Sequence, residues 1–189
     1  MNDALFSRRE KAIFETLKAL QKCHFIVIGG YAVNSYTLSR FSIDCDIVIK
    51  YKKERERIEQ ILLDIGYHQE KIPKEISYAG TFCRYEKIIQ EKFRVNIDIL
   101  ISEVRDRMTE VIFTADWIFE HAQPRTLKGK TISEELTLQI IDIDALLVMK
   151  IISCRSTDIR DVFMMLPYAL SKEWIQSEVN IRYELKERI

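Results

Sequence analysis

The chain has 189 residues, of which 47% are hydrophobic and 31% are charged, as in ordinary soluble globular proteins. Its 29 basic and 29 acidic residues give a formal net charge of zero, which argues against a broadly electropositive nucleic-acid-binding surface and leaves room only for a local basic patch. The four scattered cysteines, the three unpaired histidines and the lack of a long apolar run exclude a disulfide framework, a zinc motif and a membrane span, so we expect a cytoplasmic protein with reduced thiols.

The first predicted elements are a helix over residues 3–22 and a short strand over Phe25 to Ile28. In the helix, Ile13, Leu17 and Leu20 recur at helical spacing and predict one apolar stripe that packs on a sheet. The strand is a compact, β-branched apolar run, too short for a helix.

Paired glycines, Gly29 and Gly30, follow this strand directly. Glycine allows positive φ and lets backbone N–H groups approach a ligand closely, so this turn could hold phosphates. A plain turn is the alternative interpretation of the pair. A helix of about two turns is predicted over residues 31–38.

Two aspartates, Asp44 and Asp46, open the next predicted strand, which continues to Ile49. Because alternate side chains of a strand share one face, the two carboxylates lie side by side and repel each other. A cation between them would relieve that repulsion, and Mg²⁺ is commonly held by one or two carboxylates together with substrate phosphates. A solvated acidic face is the alternative.

The order of these residues resembles the signature of DNA-polymerase-β-like nucleotidyltransferases. The matching residues are Gly29-Gly30-x-Ala32 and Arg40-x-Ser42-x-Asp44-x-Asp46. Within that superfamily the chain is similar to the branch that holds AbiEii-like proteins, minimal nucleotidyltransferases, and aminoglycoside and lincosamide nucleotidyltransferases. The resemblance covers the first hundred residues and is patchy beyond them.

The resemblance implies an NTP substrate and Mg²⁺, with Mn²⁺ as an alternative metal. The backbone of Gly29 and Gly30 would hold the triphosphate, and Ser42 would add a hydrogen bond. Arg40 could contact a phosphate with both guanidinium nitrogens or could form an ion pair with the neighbouring aspartates.

An amphipathic helix is predicted over residues 52–65, ended by Gly66, and a hairpin follows after Pro73. Its strands cover Thr81 to Ile89 and Phe93 to Ile101, with a turn at Gln90 and Glu91. In the second strand Arg94, Asn96 and Asp98 share the polar face, which an exposed sheet face would also explain.

The resemblance implies a third carboxylate on a strand beside the Asp-x-Asp strand, and Asp98 matches it in order and context. Two metal ions roughly 4 Å apart can bind the attacking and leaving oxygens of an in-line displacement. Asp44 and Asp46 would bridge these ions, and Asp98 would bind the ion that activates the acceptor hydroxyl or would take its proton.

Between Glu103 and Gly129 we expect a loop, a short element near residues 109–113 and a strand near Trp117 to Ala122. Residues 124–130 are interpreted as a basic surface turn, with a surface hairpin or a contact with an acidic polymer as the alternatives. The C-terminal part is predicted to be helical. Asp142 or Asp144 caps a buried helix from Ala145 to Ile152, Ser156 or Thr157 caps a short helix, and Ser171 caps the last one.

Lys150 is the one charged residue in that buried helix, and either a partner or an extension to water would account for it. The run Lys150-x-x-x-x-Arg155-x-x-Asp158-x-x-Asp161 resembles the C-terminal motif of AbiEii-like proteins. That resemblance implies that Lys150 faces the nucleotide. Thr157 departs from the pattern, which often has a basic residue there.

The predicted fold is α+β: a polymerase-β-like nucleotidyltransferase core with a mixed sheet over residues 1–140 and a C-terminal helical layer over residues 141–189. The predicted function is NMP transfer from an NTP to an acceptor hydroxyl on RNA or tRNA, a protein or a small molecule. The alternatives are a non-catalytic nucleotide-binding module, or an interaction module of a toxin–antitoxin pair with an antitoxin as its partner.

Overall fold

The computed structural model of the protein describes residues 2–37, 42–70, 82–90 and 93–183. The helices are α1 (Asn2–Ala19), α2 (Gly29–Tyr36), α3 (Lys52–Asp64), α4 (Ala115–Glu120), α5 (Ile143–Ser153), α6 (Ser156–Met165) and α7 (Lys172–Arg182), with a 3₁₀ turn over Leu166–Tyr168. The strands are β1 (Ile26–Ile28), β2 (Asp44–Ile49), β3 (His68–Gln69), β4 (Phe82–Gln90), β5 (Phe93–Ile101), β6 (Glu103–Arg105), β7 (Ile112–Thr114), β8 (Ala122–Lys128) and β9 (Glu135–Ile141).

Seven strands form one mixed sheet in the order β3-β4-β5-β2-β1-β9-β8, and β6 and β7 form a separate hairpin. The pairs β2–β5 and β1–β9 are parallel, whereas the other neighbours in the sheet are antiparallel. This mixed sheet with helices confirms the predicted fold class.

The first helix packs its predicted stripe into the core. Ile13, Leu17 and Leu20 are fully buried. The predicted end of α3 is also confirmed, because Gly66 lies just beyond it with φ +89°, a conformation that glycine adopts without steric cost.

Strand β2 is central, and its sequence shows why. Cys45, Ile47, Val48 and Ile49 are all fully buried, so the strand is covered on both faces except at its start. The two aspartates near that start are only half-buried. Central strands buried on both faces read as continuous apolar runs, and an acidic start marks where the sheet opens to a cleft.

The prediction for residues 103–130 is wrong in two places. Residues 115–120 form helix α4, because Thr114 caps it: its hydroxyl accepts a hydrogen bond from the Trp117 N–H at 3.2 Å. The predicted basic turn is strand β8, which is paired with β9 along its length. Pro124 is tolerated there because β8 is an edge strand of the sheet.

Two of the three predicted C-terminal caps are confirmed. Asp142 accepts a hydrogen bond from the Ala145 N–H at 2.8 Å, and Ser171 accepts one from the Trp174 N–H at 3.2 Å. The prediction for α6 is wrong, because its N-cap is Arg155 and Ser156 is already helical. The Arg155 N–H donates to the carboxylate of Asp158 in the first turn at 3.2 Å, which replaces a hydroxyl cap.

Within the described ranges, no helix is both long enough and apolar enough to cross a membrane. The division of the chain near residue 140 stays a prediction; it falls next to the end of β9.

Candidate active site

A cavity of about 390 Å³ lies between the sheet and the C-terminal helices α5 and α6. Its walls include seven of the eight residues predicted to form the site: Gly29, Gly30, Ser42, Asp44, Asp46, Asp98 and Lys150. The eighth, Arg40, lies outside the described residues. The fold therefore brings together groups that are up to 121 positions apart, Gly29 and Lys150, around one cavity.

The three aspartates come from two neighbouring parallel strands. Asp46 of β2 lies opposite Asp98 of β5. Two residues earlier in the same strands, Asp44 lies opposite Asn96. Since residues opposite each other in a ladder point to the same face, the three carboxylates and the Asn96 amide form one polar face at the cavity. Asp98 therefore lies on β5, next to the Asp-x-Asp strand β2, as predicted.

Asp46 carries the strongest electrostatic signal in this group. Burial, followed by the charges of Asp98 and Asp44, raises the pKa of Asp46 to about 7, although the Lys150 and Arg84 charges act in the opposite direction. A carboxyl group with this pKa is held in an environment that favours the neutral form. Positive charge placed beside Asp46 would restore the carboxylate, which is what a bound cation does.

Asp44 is held by a side chain that the sequence did not single out for chemistry. Asn96 donates from Nδ2 to Oδ1 of Asp44 at 2.7 Å. The Asn96 side chain is 9% exposed, and its own Oδ1 has no hydrogen-bond partner within the described part of the chain. Asn96 therefore fixes the orientation of the Asp44 carboxylate at the mouth of the cavity.

Asp98 is held by Arg84 from strand β4. The guanidinium donates from Nε to Oδ1 at 2.7 Å and from Nη2 to Oδ2 at 2.6 Å. Burial raises the pKa of Asp98 despite this pair, and the pair raises the pKa of Arg84. Over the described ranges, no three Asp, Glu, His or Cys side chains converge as metal ligands, so the metal-binding role of Asp98 stays a prediction.

Gly29 begins helix α2 rather than forming a turn ahead of it, as the sequence had suggested. Its φ is +64°, and a Cβ atom added there would lie 2.0 Å from Oδ2 of Asp46. The N-cap of α2 is Ile28, whose apolar side chain cannot cap. The first-turn N–H groups of α2, at Gly29 and Gly30, thus lie at the cavity beside the acidic pair, and a helix N-terminus favours anions.

Ser42 and Lys150 contribute differently from the simplest expectation. The Ser42 hydroxyl lines the cavity but donates to the backbone carbonyl of Asp44 at 2.9 Å. Lys150 does not extend to water: its Nζ lies 2.6 Å from Asp158 and 3.0 Å from Asp161. Lys150 is buried within an ion-paired group and also borders the cavity.

Sequence reasoning missed two residue pairs of the cavity. One is Arg84–Asp98. The other is Arg155–Asp106, in which Nη2 lies 3.0 Å from Oδ2 and links α6 to the loop between β6 and β7. The alternation of charged and apolar residues in 82–90 could have indicated that Arg84 lies on a polar face of this strand. Nothing local in the sequence marks Asp106 as a partner of Arg155, because their contact spans 49 positions.

Asp106 should make folding stability depend on pH. Burial alone would raise its pKa, but hydrogen bonds from Thr109 and Met108 and the Arg155 charge hold it below the ordinary value. A lowered folded-state pKa gives stability that is present above the unfolded value near 4 and is lost as the pH falls through the folded value.

We therefore expect Asp106→Asn to lower the free energy of unfolding by about 1.5–3 kcal/mol at pH 7, the contribution of hydrogen bonds to a charged group. Urea unfolding of both proteins should show that the difference in their free energies of unfolding narrows steadily below pH 4. A gap that stays constant down to pH 2.5 would contradict the assignment.

The acidic pair fits a divalent cation with hard oxygen ligands. Asp44 and Asp46 share one face of a strand, and the raised pKa of Asp46 shows that its anion is destabilised. Because Gly29 has no Cβ, the space next to the Asp46 carboxylate stays open. Mg²⁺ accepts such a pair together with substrate phosphates. Asp98 differs from this pair, because each of its oxygens accepts a hydrogen bond from Arg84 and the guanidinium already places a positive charge beside it.

Comparison with known proteins gives one family and several similar folds. The model of the AbiEii family, described as nucleotidyl transferase toxins of type IV toxin–antitoxin systems, matches residues 12–182. No curated protein matches the chain.

Three solved structures are similar in fold. The lincomycin-bound lincosamide antibiotic adenylyltransferase LnuA is 16% identical, with 84% of this chain and 97% of that chain covered and a TM-score of 0.51. ANT(2'')-Ia in complex with adenylyl-2''-tobramycin is 12% identical, with coverage of 91% and 95% and a TM-score of 0.58. The solution structure of the antibiotic-resistance factor ANT(2'')-Ia is 10% identical, with coverage of 93% and 91% and a TM-score of 0.62.

Proposed function

Because the chain belongs to the AbiEii family of nucleotidyl transferase toxins, we propose that its cavity binds an NTP and transfers the NMP part to an acceptor hydroxyl. The observation that carries this proposal is the placement of Asp44, Asp46 and Asp98 on adjacent parallel strands next to the N-terminus of α2. This arrangement supports a phosphate-binding role for the start of α2 and a cation-binding role for the carboxylates beside it.

The chain's residues would divide the work as follows. The N–H groups of Gly29 and Gly30 would hold the triphosphate, with Ser42 and Arg40 as further donors to it. Lys150 borders the cavity and would add positive charge near the nucleotide. A divalent cation held by Asp44 and Asp46, either Mg²⁺ or Mn²⁺, would supply charge that stabilises the developing negative phosphate oxygens.

The transfer itself balances without any further reagent. The acceptor oxygen bonds to the α-phosphorus of the NTP, and the bond from that phosphorus to the bridging oxygen breaks and releases pyrophosphate. Asp98 would take the hydroxyl proton, and its raised pKa suits a proton acceptor. The alignment of Asp46 with Asp98 supports this division into a cation side and an acceptor side.

We propose three candidate classes of acceptor: the end of an RNA such as tRNA, a protein side chain, or a small molecule. LnuA is a lincosamide antibiotic adenylyltransferase with lincomycin bound, and ANT(2'')-Ia was solved in complex with adenylyl-2''-tobramycin, which supports a small molecule as one candidate. The family's toxins belong to type IV toxin–antitoxin systems, so an antitoxin is the proposed protein partner.

The first test is binding of a labelled, non-hydrolysable NTP with and without Mg²⁺. Wild type should bind it in a Mg²⁺-dependent manner, and Asp44→Ala combined with Asp46→Ala should abolish that binding because the cation ligands are gone. Asp64→Ala is the matched control, since Asp64 is an exposed carboxylate at the end of α3. It should bind like wild type.

Two results would contradict the proposal. A folded wild type that binds no NTP would overturn the enzyme assignment. Binding that needs no metal and survives in the double variant would favour a non-catalytic nucleotide-binding module. If binding behaves as expected, an NTP labelled at the α-phosphate, incubated with separated RNA, protein and small-molecule fractions, identifies the acceptor class by the label it carries.

A further inference from the structure

Arg84 pairs with Asp98, the carboxylate that would bind a second cation. Its guanidinium covers both oxygens of the Asp98 carboxylate with two parallel hydrogen bonds, at 2.7 and 2.6 Å. Asp98 is 4% exposed, so water competes little for these bonds. Such a two-point contact between Arg and a carboxylate is among the strongest side-chain hydrogen-bond arrangements.

The register of the sheet makes this contact a built-in feature. Arg84 of β4 lies directly opposite Asp98 of β5, and Asp98 in turn lies opposite Asp46 of β2. The three side chains therefore share one face of three adjacent strands, with positive charge from Arg84 at one end. A metal ion and this guanidinium are both positively charged and draw on the one negative charge of Asp98, so each weakens the binding of the other.

We propose that Arg84 competes with a metal ion for Asp98, so that the resting protein binds one divalent cation at Asp44 and Asp46. A second cation binds at Asp98 only when Arg84 releases it. This inference rests on the proposed function, because it takes Asp44 and Asp46 as the site of the first cation. It adds Arg84 as the residue that sets the metal content of the site.

The structure provides a second anchor for the released guanidinium. Nε of Arg84 lies 4.0 Å from Oε2 of Glu70, whose side chain is 45% exposed. The Glu70 N–H donates to the Arg84 carbonyl at 2.9 Å, so the two residues stay close whichever carboxylate the guanidinium contacts. A shift from Asp98 to Glu70 needs only a change of the Arg84 side chain.

Mn²⁺ binding to the full chain without nucleotide tests this inference. We would measure the number of bound ions and their affinities by electron paramagnetic resonance and titration calorimetry for wild type and Arg84→Met. Wild type should bind one ion tightly. The variant should bind two, with affinity at the second site raised by at least roughly tenfold, since a charge-assisted pair worth more than 1.4 kcal/mol no longer competes.

The matched control is Arg94→Met. Arg94 lies on the same hairpin and pairs with Glu86 at 2.8 Å, but it does not border the cavity. It should keep the wild-type stoichiometry of one. Thermal denaturation gives an independent readout: Mn²⁺ should raise the melting temperature of Arg84→Met more than that of wild type or Arg94→Met.

If Arg84→Met does not fold, Arg84→Lys replaces it, because lysine keeps the charge and loses the two-point contact. This variant should show a second-site affinity between wild type and the value expected for methionine. One ion in wild type with no added or tightened site in either variant would overturn the inference and leave the proposed function standing. No Mn²⁺ binding in any of the proteins would overturn both.

Discussion

Replacing Lys150 by methionine is expected to lower the free energy of unfolding by about 3–5 kcal/mol, the usual cost of breaking a buried ion pair by removing one partner. The Nζ of Lys150 lies 2.6 Å from Asp158 and 3.0 Å from Asp161. Those aspartates are 3% and 0% exposed, so the variant would remove the Lys150 charge from beside two buried carboxylates. Urea unfolding at pH 7 measures the loss.

A neutral triple variant separates charge from packing. Lys150→Met combined with Asp158→Asn and Asp161→Asn removes the whole charged group, so it should recover a large part of the stability lost by Lys150→Met alone. Lys172→Met, at the exposed start of α7, is the control for loss of one lysine and should unfold like wild type. A loss below about 1 kcal/mol for Lys150→Met would show that water reaches the group, as for exposed ion pairs.

Gly29→Ala is expected to abolish metal-dependent nucleotide binding. The new Cβ would lie 2.0 Å from Oδ2 of Asp46, a distance that no pair of these atoms tolerates, so the carboxylate or the start of α2 must move. The positive φ of +64° adds backbone strain of roughly 1–2 kcal/mol for alanine. Labelled-nucleotide binding with Mg²⁺ should fall by at least about a hundredfold, which corresponds to about 2.8 kcal/mol or more of binding free energy.

Gly66→Ala is the matched control for this experiment. Gly66 also has a positive φ, +89°, but a Cβ there would meet only Cε of Lys87 at 3.8 Å. Gly66→Ala should therefore lose only the stability that the positive φ costs, whereas Gly29→Ala should lose more stability because of its clash and should also lose nucleotide binding. Equal binding by the two variants would mean that the contact between Gly29 and Asp46 has no part in ligand binding.

The sequence predicted best what local pattern determines. Strand β2 and its two aspartates follow from an apolar run and from alternation, the apolar stripe of α1 follows from periodicity, and the end of α3 follows from a glycine. The end of α1 was predicted at residue 22, whereas the helix ends at Ala19. The position of Asp98 beside Asp46 did not come from pattern: it needed the family resemblance, because the two residues belong to strands that are far apart in the sequence.

The pairing of Arg84 shows what pattern could not supply. A hairpin turn at Gln90 and Glu91 would place Arg84 opposite Ile97, on the apolar face. The real ladder has a register shift between Ile88 and Gln90 and places Arg84 opposite Asp98. Because a shift of one residue moves every side chain to the other face of a strand, the salt bridge was out of reach without the exact register.

Strand β9 and helix α4 were missed for different reasons. Leu136, Leu138 and Ile140 alternate with polar residues, a pattern that is typical of a strand, although no strand was predicted there. In α4 the apolar residues around Trp117 would suit a strand equally well. The segment forms a helix of six residues because Thr114 caps its N-terminus. Helices this short are set by their ends rather than by propensity.

The parallel pairing of β1 with β9 has a consequence for synthesis of the chain. Strand β1 is among the first elements made, yet its neighbour at Ile140 emerges from the ribosome more than a hundred residues later. Lys150 and Asp158, on the cavity wall, come later still. Non-local pairings of this kind form late in folding. A nascent or truncated chain should thus lack the proposed activity until α5 and α6, which line the cavity, have been translated.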